Sequence, residues 1–189
     1  MSKEAVTYFA YGANADPEMI KAIVGREPDG EPATLNDFQL VLQRAHEIPE
    51  PVQKILQGKW SKQEIETFET YAIRRKQGAA VIAMAWELTP AERALVDNWE
   101  LNDGLWYQKT DVQIVTPTRG LIAASTEIID DPLLTPAEAL RPDLPAFVNS
   151  QSRMVEVAEA VRADALSRNT ETLSPKYCPV IVLRLSRKH

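Results

Sequence analysis

Histidine and cysteine are nearly missing from this chain. Its 189 residues include two histidines, His46 and His189, and a single cysteine, Cys178. One cysteine cannot form a disulfide within the chain, and this usage fits a reducing compartment. A thiol nucleophile would need a histidine partner, and one of the two is the terminal residue, where order is least expected. Zinc sites draw mainly on the same two residue types, so neither a catalytic cysteine nor a metal centre is expected. Cys178 reads instead as the start of a buried strand, Tyr177-Cys178-Pro179-Val180-Ile181. A basic stripe is also missing. Lys and Arg number 21 against 27 Asp and Glu, for a formal net charge of −6, which argues against a nucleic-acid surface. The densest basic run, Arg74-Arg75-Lys76, reads as a strand end or surface turn. No apolar run approaches bilayer-spanning length. Residues Met1 to Ala10 carry neither a signal-peptide core nor an Arg-rich transit pattern, so the expected location is cytoplasmic, with no membrane partner.

What is present is a globular composition, 44% hydrophobic and 25% charged, in a length that suits one domain over residues 1–189. Val6 to Tyr11 is aromatic and β-branched, a buried first strand. Asp16 and Pro17 suit the N-cap and first position of a helix that Gly25 closes. Phe38 to Leu42 alternates as a half-buried strand. The stretch Ala45 to Phe68, with Pro49, Pro51, Trp60 and a capping box at Ser61-Lys62-Gln63-Glu64, reads as a surface excursion flanking a pocket, its short helix running to Phe68. Two strands follow, Tyr71 to Ile73 and Ala79 to Leu88, joined by a hairpin-like turn at Lys76-Gln77-Gly78. In the second of these, Val81 to Trp86 is nearly continuously apolar, as in a strand covered on both faces. Thr89-Pro90-Ala91-Glu92 opens a helix that turns Ala94, Leu95 and Trp99 inward and ends near Trp99. Tyr107 to Val115 and Leu121 to Ile128 form an antiparallel pair around Pro117-Thr118-Arg119-Gly120. Thr135-Pro136-Ala137-Glu138 repeats the cap pattern. After Pro145 a helix runs to about Leu166 with Phe147, Met154, Ala158, Val161 and Ala165 on one face, and Val180 to Leu185 supplies a last strand. Strands joined by turns too short for parallel crossovers predict an α+β fold: a small mixed or antiparallel sheet, curled towards a barrel, with helices outside.

Two segments can carry chemistry. Glu100 follows a helix and stands beside Trp99, shortly before Trp106 and Tyr107. In an apolar pocket its carboxyl would titrate in the range useful for general acid–base work; on local sequence alone a solvated helix terminus is the better reading, for Asp97 as for Glu100. In Tyr11-Gly12-Ala13-Asn14, Gly12 permits close backbone approach and successive N–H groups suit an oxyanion; a strand-to-helix turn needs the same glycine. Tyr107 fits a core or rim position as well as a site.

Taken together and in order, these segments resemble the gamma-glutamylcyclotransferase-like family. Tyr8-Phe9-Ala10-Tyr11-Gly12-Ala13-Asn14 matches the family's opening YFAYGSN pattern. Leu35 to Leu40 is similar to its L-x-x-[FY]-x-L strand, and Val81 to Leu88 to its V-x-G-x-x-[WY]-x-[LM] strand. Val96-Asp97-Asn98-Trp99-Glu100 fits L-D-x-x-E, and Gly104-Leu105-Trp106-Tyr107 fits the tyrosine-bearing segment after it. The resemblance spans residues 6–128, with 45–68 as an insertion and 145–185 as a C-terminal helix and strand. It implies a small mixed barrel with surrounding helices. It also implies intramolecular attack of a γ-glutamyl α-amine on its own γ-carbonyl, giving 5-oxoproline and an amine from a γ-glutamyl amino acid, peptide or amine. Carried over by position, Glu100 is the general acid and base, and Tyr11, Gly12, Ala13, Asn14 and Ala15 hold the glutamyl group through backbone amides. Tyr107 lines the pocket. The resemblance implies neither cofactor nor metal; the partner is a small γ-glutamyl molecule, and the chain is a monomer or homodimer. Ala13 replaces the family's usual serine, while Ala83 and Leu101 stand where glycine is common, with room to narrow or reshape the pocket. Two further readings stay open: removal of a γ-glutamyl cap from a biosynthetic amine, and a non-catalytic binding or regulatory module on the same fold.

Overall fold

The computed structural model describes residues 5–66, 68–102, 104–137 and 151–171. Among these residues six strands, β1 (Val6–Ala10), β2 (Gly30–Arg44), β3 (Glu69–Leu88), β4 (Gln108–Thr116), β5 (Gly120–Ile128) and β6 (Thr135–Pro136), run in the order β3-β1-β5-β4-β2-β6. Because β2 also pairs with β3, the first five strands close on themselves. The ring is mixed: β1 meets β5 in parallel at Tyr8 and Ser125, and every other pairing is antiparallel. Closure removes the exposed edges that an open sheet of this size would carry. The expected barrel with outer helices is therefore what the chain forms.

The barrel interior is filled from all five strands by residues at alternate positions, among them Phe9, Leu35, Ile73, Ala85, Ile114 and Ile128. The opposite face of β1 presents Tyr8 and Ala10 to helices α1 (Pro17–Val24), α4 (Pro90–Trp99) and α5 (Gln151–Glu171), where Ile20, Ile23, Trp86, Leu88, Val96 and Ala158 complete a second core. A third core lies outside the barrel, where α2 (Glu50–Gln57) and α3 (Lys62–Glu66) bring Val52, Leu56, Trp60 and Ile65 against Val157 and Val161 of α5. The excursion is thus clamped down by α5 through side chains each contributing roughly 1.5–3 kcal/mol of burial. Among the described residues no helix is long and apolar enough to cross a membrane.

Several local expectations need correction. The turn at Lys76-Gln77-Gly78 does not separate two strands: β3 is continuous from Glu69 to Leu88 and pairs along β2 from Arg44 back to Gly30. Gly78 has φ +77, Asp37 has φ 62, and Asp37 Oδ1 accepts the Gly78 N–H at 2.9 Å, where the register shifts between Asn36 and Phe38. This is a bulge that bends two long strands round the barrel; the glycine serves a left-handed backbone in either case. Nor is the Val81 to Trp86 run covered on both faces, since Ile82 points outward and is 71% exposed. Helix α4 turns Arg93 and Val96 inward, while Ala94 is exposed and Leu95 and Trp99 are only partly covered. Arg93 occupies the buried stripe because the buried carboxylate of Glu127 awaits it there. The helix predicted to reach Phe68 is described from Lys62 to Glu66, and Phe68 itself is not helical. Thr135-Pro136 is not a helix cap but a two-residue strand against Val41 and Leu42. Arg74 and Arg75 are structural cations: Arg74 donates to the carbonyls of Asp131, Pro132 and Leu134, and Arg75 pairs with Asp130. Phe147, Cys178 and the strand expected at Val180 to Leu185 lie outside the described residues.

Gly30 is required for a different reason from Gly78. It faces Trp86 across the β2–β3 ladder, and a Cβ built on it would stand 2.1 Å from Trp86 Cε3. The indole is 3% exposed, and its Nε1 donates to the Asn14 carbonyl at 2.9 Å, so it cannot step aside freely. Gly30→Ala is expected to lower stability by roughly 3 kcal/mol, the upper range for overpacking, read as a loss in thermal midpoint.

Candidate active site

The two candidate segments meet at one wall of a single cavity of about 980 Å³. β1 ends at Ala10, and Gly12, at φ +63, turns the chain into a short 3-10 turn, Gly12–Ala15. Directly behind it Asp16 caps α1, its carboxylate accepting the N–H groups of Glu18 and Met19. The turn drops Asn14 inward to 4% exposure. Its carbonyl is held by Trp86, and its side-chain amide donates to the Tyr8 hydroxyl at 3.0 Å and to Glu100 Oε1 at 2.5 Å.

Glu100 reaches this point because α4 ends with it. Thr89 and Glu92 form a reciprocal capping box at the start, and Glu100 is the C-cap. Leu101 follows with φ 54, and the Asn102 N–H returns to the Asp97 carbonyl at 3.1 Å. This is a Schellman closure with leucine at the left-handed position, where glycine is usual because other residues pay about 1–2 kcal/mol. A glycine preference at 101 therefore has a backbone cause, and the leucine side chain adds to the cavity wall with Leu105 and Trp106.

Beneath Glu100 lies a buried charge network. Arg93, 3% exposed, reaches Glu127 at 2.5 Å and Asp97 at 2.8 Å, donates from Nε to Ser125 at 3.0 Å, and lies over the Tyr8 ring. Asn102 donates to both Glu127 and Asp97, and Lys109 pairs with Asp97 at 2.9 Å. Burial pushes the Glu100 carboxyl up to about 8; the Glu127 charge adds to this, and the Asn14 bond and Arg93 only partly oppose it. A carboxyl titrating near neutrality, fixed by one amide donor and opening on a cavity, is equipped to take up and return a proton.

Of the residues expected from sequence, Tyr11, Gly12, Ala13, Asn14, Glu100 and Tyr107 all line the cavity, whereas Ala15 stands outside its wall. Asn14 enters through its side chain as well as its backbone. The Tyr11 hydroxyl donates to the Glu127 carbonyl at 2.8 Å and is thereby engaged in the barrel. Tyr107 stacks on Trp106, with its hydroxyl 3.4 Å from Thr70 Oγ1 and from the Tyr71 carbonyl; burial raises its pKa, so it is a neutral wall residue. Ala83 belongs to the barrel interior and does not shape the cavity, contrary to expectation. Tyr8, Arg93, Asn102 and Glu127 were not anticipated. The available signals were a cation on the buried stripe of α4 and an acid inside the apolar end of β5. Among the described residues no three His, Cys, Asp or Glu side chains are disposed to hold a metal ion.

No family model matches the chain, and no curated protein matches it by sequence. Solved structures do. A gamma-glutamyl cyclotransferase superposes with a TM-score of 0.54 at 18% identity, over 85% of this chain and 88% of that one. A protein from Arabidopsis thaliana, known from a solution structure, gives 0.50 at 16% identity over 95% and 94%. YkqA from Bacillus subtilis gives 0.50 at 15% identity over 93% of this chain and 57% of its own. The closed mixed barrel, its outer helices and these superpositions together show that the chain has the gamma-glutamylcyclotransferase-like fold.

Proposed function

We propose that the protein is a γ-glutamyl cyclotransferase with Glu100 as its general acid and base. The observation that carries this reading is the Glu100 carboxyl, titrating near 8 and held by Asn14 at the inner end of a cavity. The shared fold and the sequence motifs support it.

The substrate's α-amine attacks its own γ-carbonyl carbon, forming the lactam C–N bond. Glu100 takes the proton that this nitrogen sheds. The amide C–N bond then breaks, and Glu100 gives the proton to the departing nitrogen, leaving 5-oxoproline, a free amine and an unchanged carboxylate. The N–H groups of Gly12 and Ala13 hold the glutamyl group as charge develops on its carbonyl oxygen. The nucleophile is the substrate's own, so fixing amine against carbonyl supplies most of the acceleration. Ala13 has no hydroxyl to offer, but the backbone donors of this turn do not depend on its side chain.

Release of 5-oxoproline from a panel of γ-glutamyl amino acids and amines, followed by chromatography, tests this reading; no product from any donor would sink it. The pH profile is a sharper check. Attack needs an unprotonated α-amine, whose free pKa is roughly 8, and a Glu100 carboxylate, also titrating near 8, to take up the proton that the nitrogen sheds. Below that value both groups are protonated and neither condition is met; above it both hold, and the proton given to the leaving nitrogen is the one taken from the amine. We expect kcat/KM to rise with pH to a plateau above about pH 8 and to fall by roughly a hundredfold per unit below it.

A further inference from the structure

The cavity is far larger than a glutamyl group. Its volume, about 980 Å³, lies at the upper end of the roughly 300–1,000 Å³ typical of pockets for drug-sized ligands. Glu100 and the Tyr11–Asn14 turn occupy one wall; the remainder is shared by the excursion, α5, α4, the start of β3 and the residues that follow Glu100. Leu56, Trp60, Phe68 and Leu105 line it with Met154 and Val157, and the same residues belong to the third apolar core. A γ-glutamyl group seated at Glu100 therefore leaves an apolar, aromatic-rich chamber to be filled by whatever is attached to its γ-carbonyl.

Three cations line the cavity, of which Lys109 is paired with Asp97 and Arg168 with Asp164. Lys59, just past α2, is half-buried and lines the cavity. Its backbone is fixed at both ends, the N–H donating to Leu56 at 2.9 Å and the carbonyl accepting from Arg153 at 3.1 Å. Among the described residues its ammonium has no hydrogen-bond or salt-bridge partner, although Asp164 and Arg168 of α5 act on it with opposite signs. Those two are already paired with each other. Burial draws the Lys59 pKa down; Asp164 opposes this and Arg168 adds to it.

Building on the cyclotransferase reading, we propose that the leaving group is a bulky apolar α-amino acid, its side chain in the Trp60–Phe68 chamber and its carboxylate on Lys59. This makes the excursion the specificity wall and Lys59 the residue that separates amino-acid conjugates from those of plain amines.

Three substrates test it: γ-glutamyl-phenylalanine, γ-glutamyl-glycine, and γ-glutamyl-phenethylamine, which keeps the ring but lacks the carboxylate. Burying a phenyl side chain should raise kcat/KM for the phenylalanine conjugate over the glycine conjugate by roughly 10- to 100-fold. The phenylalanine conjugate should exceed the phenethylamine conjugate by about tenfold, and Lys59→Met should bring that ratio to about one. Equal rates for all three substrates, or a ratio untouched by Lys59→Met, would overturn the proposal. Calorimetric binding of the same compounds to the Glu100→Gln protein separates the two levels of inference. The same preferences in binding, with no 5-oxoproline from the unaltered protein, would uphold the chamber and refute the cyclotransferase. Turnover without preference does the reverse.

Discussion

Replacing Glu100 with glutamine should lower kcat/KM for 5-oxoproline formation by roughly 10²- to 10⁴-fold, the usual contribution of a positioned acid–base group. The shape of the site should survive, because the glutamine carbonyl still accepts the Asn14 amide. Stability should move the other way. In the folded protein this carboxyl titrates near 8, against 4.5 for an unperturbed glutamate. Between those values the folded chain keeps a proton that the unfolded chain releases, so Glu100 makes stability fall as pH rises through this window. Glutamine abolishes that loss. The variant's thermal midpoint should equal the native one below about pH 4.5, rise above it through the window, and hold a constant advantage beyond about pH 8. Scans at several pH values, beside the activity assay, read both halves. A variant that is inactive and also less stable at pH 9 would mean that Glu100 holds the structure together rather than moving protons.

The second large effect lies one layer deeper. Arg93→Met leaves Glu127, 2% exposed, without its guanidinium, and breaking a buried pair in this way costs about 3–5 kcal/mol. In a chain of this length that corresponds to a drop in thermal midpoint of about 10 °C. Adding Glu127→Leu should restore much of the loss, since an apolar pair of similar size replaces a buried ion pair at little cost. The double variant then isolates the electrostatic role. Glu127 raises the Glu100 pKa and Arg93 lowers it; Glu127 has the larger influence, so removing both should move the acid limb of the pH profile to lower pH. An acid limb unmoved in a stable double variant would show that neither charge governs the titration of Glu100.

How far the sequence revealed this arrangement depends on the range of the interaction. Asp16 with Pro17 and Thr89 with Glu92 were legible because caps act over three or four residues. The β4–β5 pair was legible because only three residues connect its strands. The bulge at Gly78 was misread because a tight turn and a bulge make the same demand on φ, and only the long partner strand decides between them. β2 was underestimated for the same reason: Gly30, Pro32 and Asn36 have poor strand propensity, yet β3 holds them in register. In the site, Glu100 and the Tyr11–Asn14 turn carried local marks, an acid beside tryptophans and a glycine after a strand. The Arg93–Glu127 pair spans 34 residues and was invisible until α4 and β5 were packed together.

Barrel closure has a consequence for how the protein comes to be active. Among the described residues β2 and β3 make the most extensive pairing, register by register, and join segments that are near in sequence at the excursion. The seam between β1 and β5 is different. It is stitched by the bonds from Tyr11 to Glu127 and from Thr126 to Phe9, which span 116 and 117 residues. Contacts of such separation bear the greatest loop-closure entropy and slow folding. Asn14 hangs from one side of this seam, while the Arg93 and Asn102 contacts to Glu127 tie the end of α4 to the other. A chain with its long hairpin formed but its seam open would have a nearly complete sheet and no assembled site. Recovery of activity on refolding should therefore follow the slowest step, and lag behind the signals of secondary structure.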